Sequence, residues 1–144
     1  MFVACSESIA SAAFVAAFPT AYVLQTLVGP PHDLDADTRA TLEHGVLGEG
    51  VRHLVVCGHD GCRVAGGARA SGASQRWAVD RCRALQADER MGRMLRRAGV
   101  TMRALWIDEA SHEIYTCSFE GLPPRRMEAA DLAAMFSALD EVSA

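Results

Sequence analysis

The chain has 144 residues, 50% of them hydrophobic, with 14 basic against 18 acidic side chains and a formal net charge of -4. That balance gives no electrostatic basis for binding nucleic acid or an anionic membrane, and no stretch reaches the run of about 18 apolar residues that a membrane span requires. Every basic residue is arginine, which excludes lysine Schiff-base chemistry and a phosphate-loop lysine.

The length predicts one domain over residues 1–144 with room for a substantial core. The opening segment has no basic stretch ahead of its apolar residues and carries Glu7, a poor match to a signal peptide. Five cysteines, an odd number without an export signal, predict reduced thiols and a cytoplasmic location.

Met1 to Cys5 reads as a short strand, and Ser6 to Ala17, small and apolar, as a helix or helical turn ended at Pro19. Ala21 to Val28 is rich in strand formers and stops at Gly29-Pro30-Pro31. Asp35 and Asp37 can cap a helix through Thr38, Leu42 and Val46, closed by Gly48 and Gly50. The apolar run Leu54 to Cys57 then predicts a buried strand that ends at Gly58, with His59 and Cys62 on the turn beyond it. Gly66, Gly67 and Gly72 fit neither the dinucleotide fingerprint nor the phosphate loop, and their segment reads as a packing or flexible loop. Trp77 to Arg97 has helical spacing, with Gly99 as a stop. Thr101 to Ile107 is a further strand, Ile114 to Phe119 its hairpin partner, and Glu128 to Val142 an amphipathic closing helix after Pro123-Pro124.

Strands alternating with helices predict an α/β fold: a mostly parallel sheet in the order 2-1-3-4, flanked by helices, with an antiparallel C-terminal edge strand. In that order the first and third strands are neighbours, and their carboxyl ends meet where open α/β sheets carry their sites. Cys5 ends the first strand, and His59 and Cys62 follow the third. Two thiols and an imidazole suit zinc, with a fourth position for a carboxylate, water or substrate. Glu7 is close enough to Cys5 to be that carboxylate.

Cys5-Ser6-Glu7-Ser8, followed by Cys57-Gly58-His59-Asp60-Gly61-Cys62, resembles the β-class carbonic anhydrases, whose signature is C-x-D-S-R on the first strand and G-H-x-x-C after the third. The likeness extends to the helix around Asp88-Glu89-Arg90 and to the hairpin from Leu105 to Gly121. It implies one zinc ion per chain on Cys5, His59 and Cys62, a homodimer or higher homo-oligomer, and hydration of carbon dioxide or of a small relative such as carbonyl sulfide or carbon disulfide. Glu7 stands in place of the family's Asp and Ile9 in place of its Arg, which in the family holds the Asp off the metal. Unrestrained, Glu7 could close the metal shell. Gln25-Thr26-Leu27-Val28-Gly29 stands near the place of the family's R-N-A-G-N, and no counterpart is expected of the N-terminal arm that braces the family's dimers. Ile9, Phe14 and Leu27 would suit an apolar pocket for a small linear substrate.

Other chemistry-bearing residues read more plainly. Cys57 and Cys82 are expected in the core and Cys117 on the hairpin, while the Cys57/Cys62 spacing is not that of a thioredoxin-type pair. Asp60 reads as a turn residue or as the partner of a ligand. His32, His44, His53 and His112 are scattered, and Arg96-Arg97 and Arg125-Arg126 read as solvated charge. Three functional readings stand: a zinc hydratase acting on a small molecule, a catalytically silent zinc module closed by Glu7, and a thiol redox or sulfur-handling protein.

Overall fold

The computed structural model describes residues 1–8, 21–26, 34–62, 71–128, 130–131, 134–135 and 137, with 71–74 described by backbone alone. Its strands are β1 (Phe2–Cys5), β2 (Val23–Thr26), β3 (His53–His59), β4 (Thr101–Asp108), β5 (Glu113–Cys117) and β6 (Arg125–Arg126). They form one sheet in the order β2-β1-β3-β4-β5-β6. The first four run parallel, and β5 and β6 join antiparallel at the far edge. The expected order and the antiparallel C-terminal edge are therefore present.

The near-continuous apolar character of β1, β3 and β4 follows from burial on both faces, which a parallel sheet requires. On one face Val3, Leu54, Val56, Ala104 and Trp106 pack against the helices α1 (Ala36–Leu47), α2 (Ser71–Ala87) and α3 (Glu89–Arg97), through Leu42, Val46, Trp77, Cys82, Leu85, Met91 and Leu95. On the other, Phe2, Ala4, Val55, Cys57, Leu105 and Ile107 form a second cluster with Met127 and Met135. Each fully buried Val or Leu here is worth about 1.5–3 kcal/mol relative to exposure.

Four elements differ from expectation, one of them β6, a two-residue strand where only solvated charge was expected. The helix predicted over Trp77 to Arg97 begins earlier, at Ser71, and is two helices broken at Asp88. Asp88 leaves helical geometry at ψ 127°, accepts the Met91 amide at 2.8 Å and the Arg39 guanidinium at 2.7 Å, and so caps α3. At Gly92 an added Cβ would collide with the Gln86 carbonyl, so glycine lets α3 turn close under the end of α2. Hydrophobic spacing passes through such a break because it reports faces, not backbone continuity.

Strand β3 does not stop at Gly58. Its pairing with β4 continues through Gly58↔Trp106 and His59↔Ile107, so His59 is the last residue of the strand rather than part of the turn. The second strand covers Val23–Thr26 where Ala21 to Val28 was expected, and residues 27–28 lie outside the described residues. The expected helices over 6–17 and 128–142 also fall largely outside them, although Ala130, Asp131, Ala134, Met135 and Ser137 are helical. Among the described residues no helix is long and apolar enough to cross a membrane.

Candidate metal centre

The site assembles where β1 and β3, neighbours in the sheet, reach their carboxyl ends. Beyond Cys5 the chain is held by two backbone bonds: Ser6 N–H donates to the Thr26 carbonyl and Ser8 N–H to the Cys5 carbonyl, both at 3.1 Å. The Glu7 N–H donates to Cys5 Sγ at 3.5 Å. Beyond His59, the Asp60 N–H donates to the Ile107 carbonyl at 3.1 Å, and Gly61 adopts φ 65°, a left-handed conformation that favours glycine. That turn returns the chain so that Cys62 is buried in the same apolar cluster as Cys5.

One ligand atom each from Cys5, Glu7, His59 and Cys62 lies within 4.8 Å of all the others. The two sulfurs are 3.8 Å apart. Two thiolates bound about 2.3 Å from a tetrahedral zinc ion stand about 3.8 Å apart by simple trigonometry. A disulfide instead needs about 2.05 Å between sulfurs, and both cysteines are free. His59 is 3% exposed, and among the described residues neither of its ring nitrogens has a hydrogen-bond partner. Burying a polar group without a partner is costly, and an ion on one nitrogen would relieve that cost. Spacing, donor chemistry and the orphaned imidazole all fit a zinc-sized ion.

The Cys5 thiol is pushed up to about 11, first by burial, while the Glu7 N–H draws it the other way and the neighbouring Cys62 adds to the rise. A metal must therefore displace a firmly held proton, and binding is coupled to proton release.

Glu109, at the turn after β4, was not singled out in the sequence. Its Oε1 stands 3.4 Å from His59 Nδ1, and its backbone N–H donates to Asp60 Oδ1 at 2.8 Å. Asp60 is thus a turn residue that ties the ends of β3 and β4 together. The signal that could have revealed Glu109 is the strand register, since pairing His59 with Ile107 carries the following residues past the site.

Of the remaining candidates, Ile9, Phe14, Leu27, His32, Gly66 and Gly67 lie outside the described residues. Cys57 packs in the second cluster and Cys62 in the first, on opposite faces of the sheet, so the thiol that Cys62 meets is Cys5. His44 is exposed beside Glu49 at 3.3 Å, and His112 occupies the β4–β5 turn at φ 59°. Arg96 and Arg97 are exposed, and Arg125 and Arg126 form surface ion pairs with Asp131 and Glu113.

No protein-family model and no curated protein matches the sequence. Solved structures do. The β-carbonic anhydrase CcaA superposes with a TM-score of 0.67 at 12% identity, covering 89% of this chain and 77% of that one. One of two tetrameric β-carbonic anhydrases from Sordaria macrospora gives 0.63 at 16% identity, covering 80% and 79%. The β-carbonic anhydrase CafD of Aspergillus fumigatus gives 0.57 at 18% identity, covering 80% and 86%. At such identities the likeness is one of architecture: the chain has a divergent β-carbonic-anhydrase-like fold.

Proposed function

We propose that this protein is a zinc hydratase of carbonic anhydrase type, acting on carbon dioxide or on a small linear relative such as carbonyl sulfide or carbon disulfide. Cys5, His59 and Cys62 would hold the ion. The observation that carries the reading is the meeting of two thiols 3.8 Å apart with a buried imidazole that forms no hydrogen bond among the described residues, in a β-carbonic-anhydrase-like fold. Zinc bound there would supply the Lewis acidity that brings the pKa of a water to about 7.

The rest of the chemistry belongs to the chain. The Glu7 amide directs its hydrogen at Cys5 Sγ and stabilises the thiolate form. The Glu7 carboxylate, within 4.8 Å of the other three donors, can accept a hydrogen bond from the reacting water, orient its lone pair toward the substrate carbon and pass the released proton to solvent. Burial of Cys5, His59 and Cys62 keeps bulk water off the ligands and strengthens each of these interactions.

The same proximity of Glu7 supports a second reading, in which its carboxylate fills the fourth position and the protein is a silent zinc module. Stopped-flow hydration of carbon dioxide by zinc-loaded protein, from about pH 6 to about pH 9, tests the first reading, because the acidified water titrates inside that window. A buffer rate throughout would sink it. In a hydratase, Glu7→Ala lowers kcat by about 10²–10⁴-fold with zinc retained, whereas a rate gained on substitution favours the closed shell.

The tetrameric Sordaria macrospora structure supports assembly into a homodimer or larger homo-oligomer, which light scattering on the purified chain would measure. The free cysteines fit a reducing compartment such as the cytoplasm.

A further inference from the structure

We propose that Glu109 is a positioning residue for His59: its carboxylate holds the imidazole proton on Nδ1 and leaves Nε2 as the donor turned to the metal. The inference rests on the metal-site reading above and adds a residue that the cysteine and histidine motifs do not contain.

Pairing of His59 with Ile107 brings the turn that starts at Glu109 alongside Asp60. Two hydrogen bonds then lock the strand ends: Asp60 N–H to the Ile107 carbonyl at 3.1 Å, and Glu109 N–H to Asp60 Oδ1 at 2.8 Å. Neither uses the Glu109 side chain. That side chain instead turns back to His59, where its Oε1 lies 3.4 Å from Nδ1, with side-chain exposures of 4% for the histidine and 22% for the glutamate. A second buried nitrogen on the same ring, Nε2, also has no hydrogen-bond partner.

An imidazole that ligates through one nitrogen carries its proton on the other, and whichever acceptor faces that proton sets the tautomer. A carboxylate does so more firmly than a neutral acceptor and increases the electron donation of the ligating nitrogen. Glu109 Oε1 is a carboxylate oxygen that faces Nδ1. At 3.4 Å the contact is longer than a formed N–H···O bond of about 2.7–3.2 Å, so metal binding at Nε2 is expected to draw it shorter.

The test compares the full-length protein with Glu109→Ala and Glu109→Gln. Zinc affinity would be read by competition with a chromogenic chelator, and the His59 tautomer by long-range ¹H–¹⁵N correlation of its ring in the zinc-loaded protein. Glu109→Ala is expected to weaken zinc binding by about 10–100-fold, and Glu109→Gln by less, since its amide oxygen still accepts. The wild-type ring is expected to carry its proton on Nδ1 with the shift of a strong hydrogen bond, which Glu109→Ala removes. A loss of zinc affinity in a variant whose metal-free thermal unfolding agrees with wild type separates positioning of His59 from a general loss of fold. Glu109→Gln decides the matter if the alanine variant does not fold. Zinc affinities within about twofold of wild type in the variants, or a wild-type proton on Nε2, would overturn the proposal. Wild-type protein that takes up no zinc would instead overturn the metal reading on which it rests, a result visible before any variant is made.

Discussion

Cys5 and Cys57 lie on adjacent strands and are each 2% exposed, yet their surroundings differ in kind. Cys57 is packed with Phe2, Ala4, Val55, Leu105 and Ile107, and burial pushes its thiol far above the ordinary range. Cys5 is equally covered, but it ends its strand, receives the Glu7 amide and faces a second sulfur, an imidazole and a carboxylate. Burial does not separate the proposed ligand from a filler here; position at the strand end does. Inside a sheet the backbone donors are spent on neighbouring strands, whereas past the last ladder bond they are free to serve a side chain.

The sharpest way to break this contrast is to exchange the two kinds of cysteine for serine. Cys5→Ser or Cys62→Ser is expected to cost about 100-fold or more in zinc affinity, exceeding the effect of an outer partner, and to reduce bound zinc measured by atomic emission. Cys57→Ser should keep its zinc and lose about 1–3 kcal/mol of stability in denaturant unfolding, the cost of a hydroxyl in an apolar interior. Zinc lost from a folded Cys57→Ser protein would erase the distinction. A milder probe is alkylation under native conditions. In the metal-free protein Cys62, at 7% exposure, should label faster than Cys82, which is wholly covered and whose thiol burial pushes up to about 12, and zinc should slow the labelling of Cys62 alone.

The smallest effect is expected away from both regions, at the cap of α3. Asp88→Ala should cost about 1 kcal/mol, most of it from the cap, because the Arg39 pair is partly exposed and screened. The Met91 amide, and after it Arg39, lower the pKa of Asp88 from 3.8 in the folded protein. The stabilisation is therefore complete above that value and lost as pH falls through the lower folded one. Unfolding of wild type and variant should converge as the medium is acidified below 3.8.

The four parallel strands were legible because each is a short, largely apolar run, and because burial on both faces removes polar alternation, whereas β6, the exposed pair Arg125–Arg126, reads only as solvated charge. The donor set was legible for a related reason: Cys5, His59 and Cys62 stand at or just past the ends of such runs. The break at Asp88 was not, since a capping aspartate on the outer face leaves the hydrophobic spacing of Val79, Cys82, Leu85, Met91 and Leu95 intact. Glu109 was missed because a glutamate in a hairpin turn is ordinarily solvated, and nothing near it in the chain points to His59.

Local chemistry by itself determined which segments become strands, which residues can bind a soft metal ion and which glycines and prolines stop each element. Only the tertiary structure decided that the ladder runs on to His59, that two sulfurs 57 positions apart come to 3.8 Å, and that Glu109 reaches the imidazole. The physical reason is register. Parallel strands are joined by long crossovers, so their alignment is set by packing of both sheet faces, and a shift of one residue would send these side chains to the wrong side.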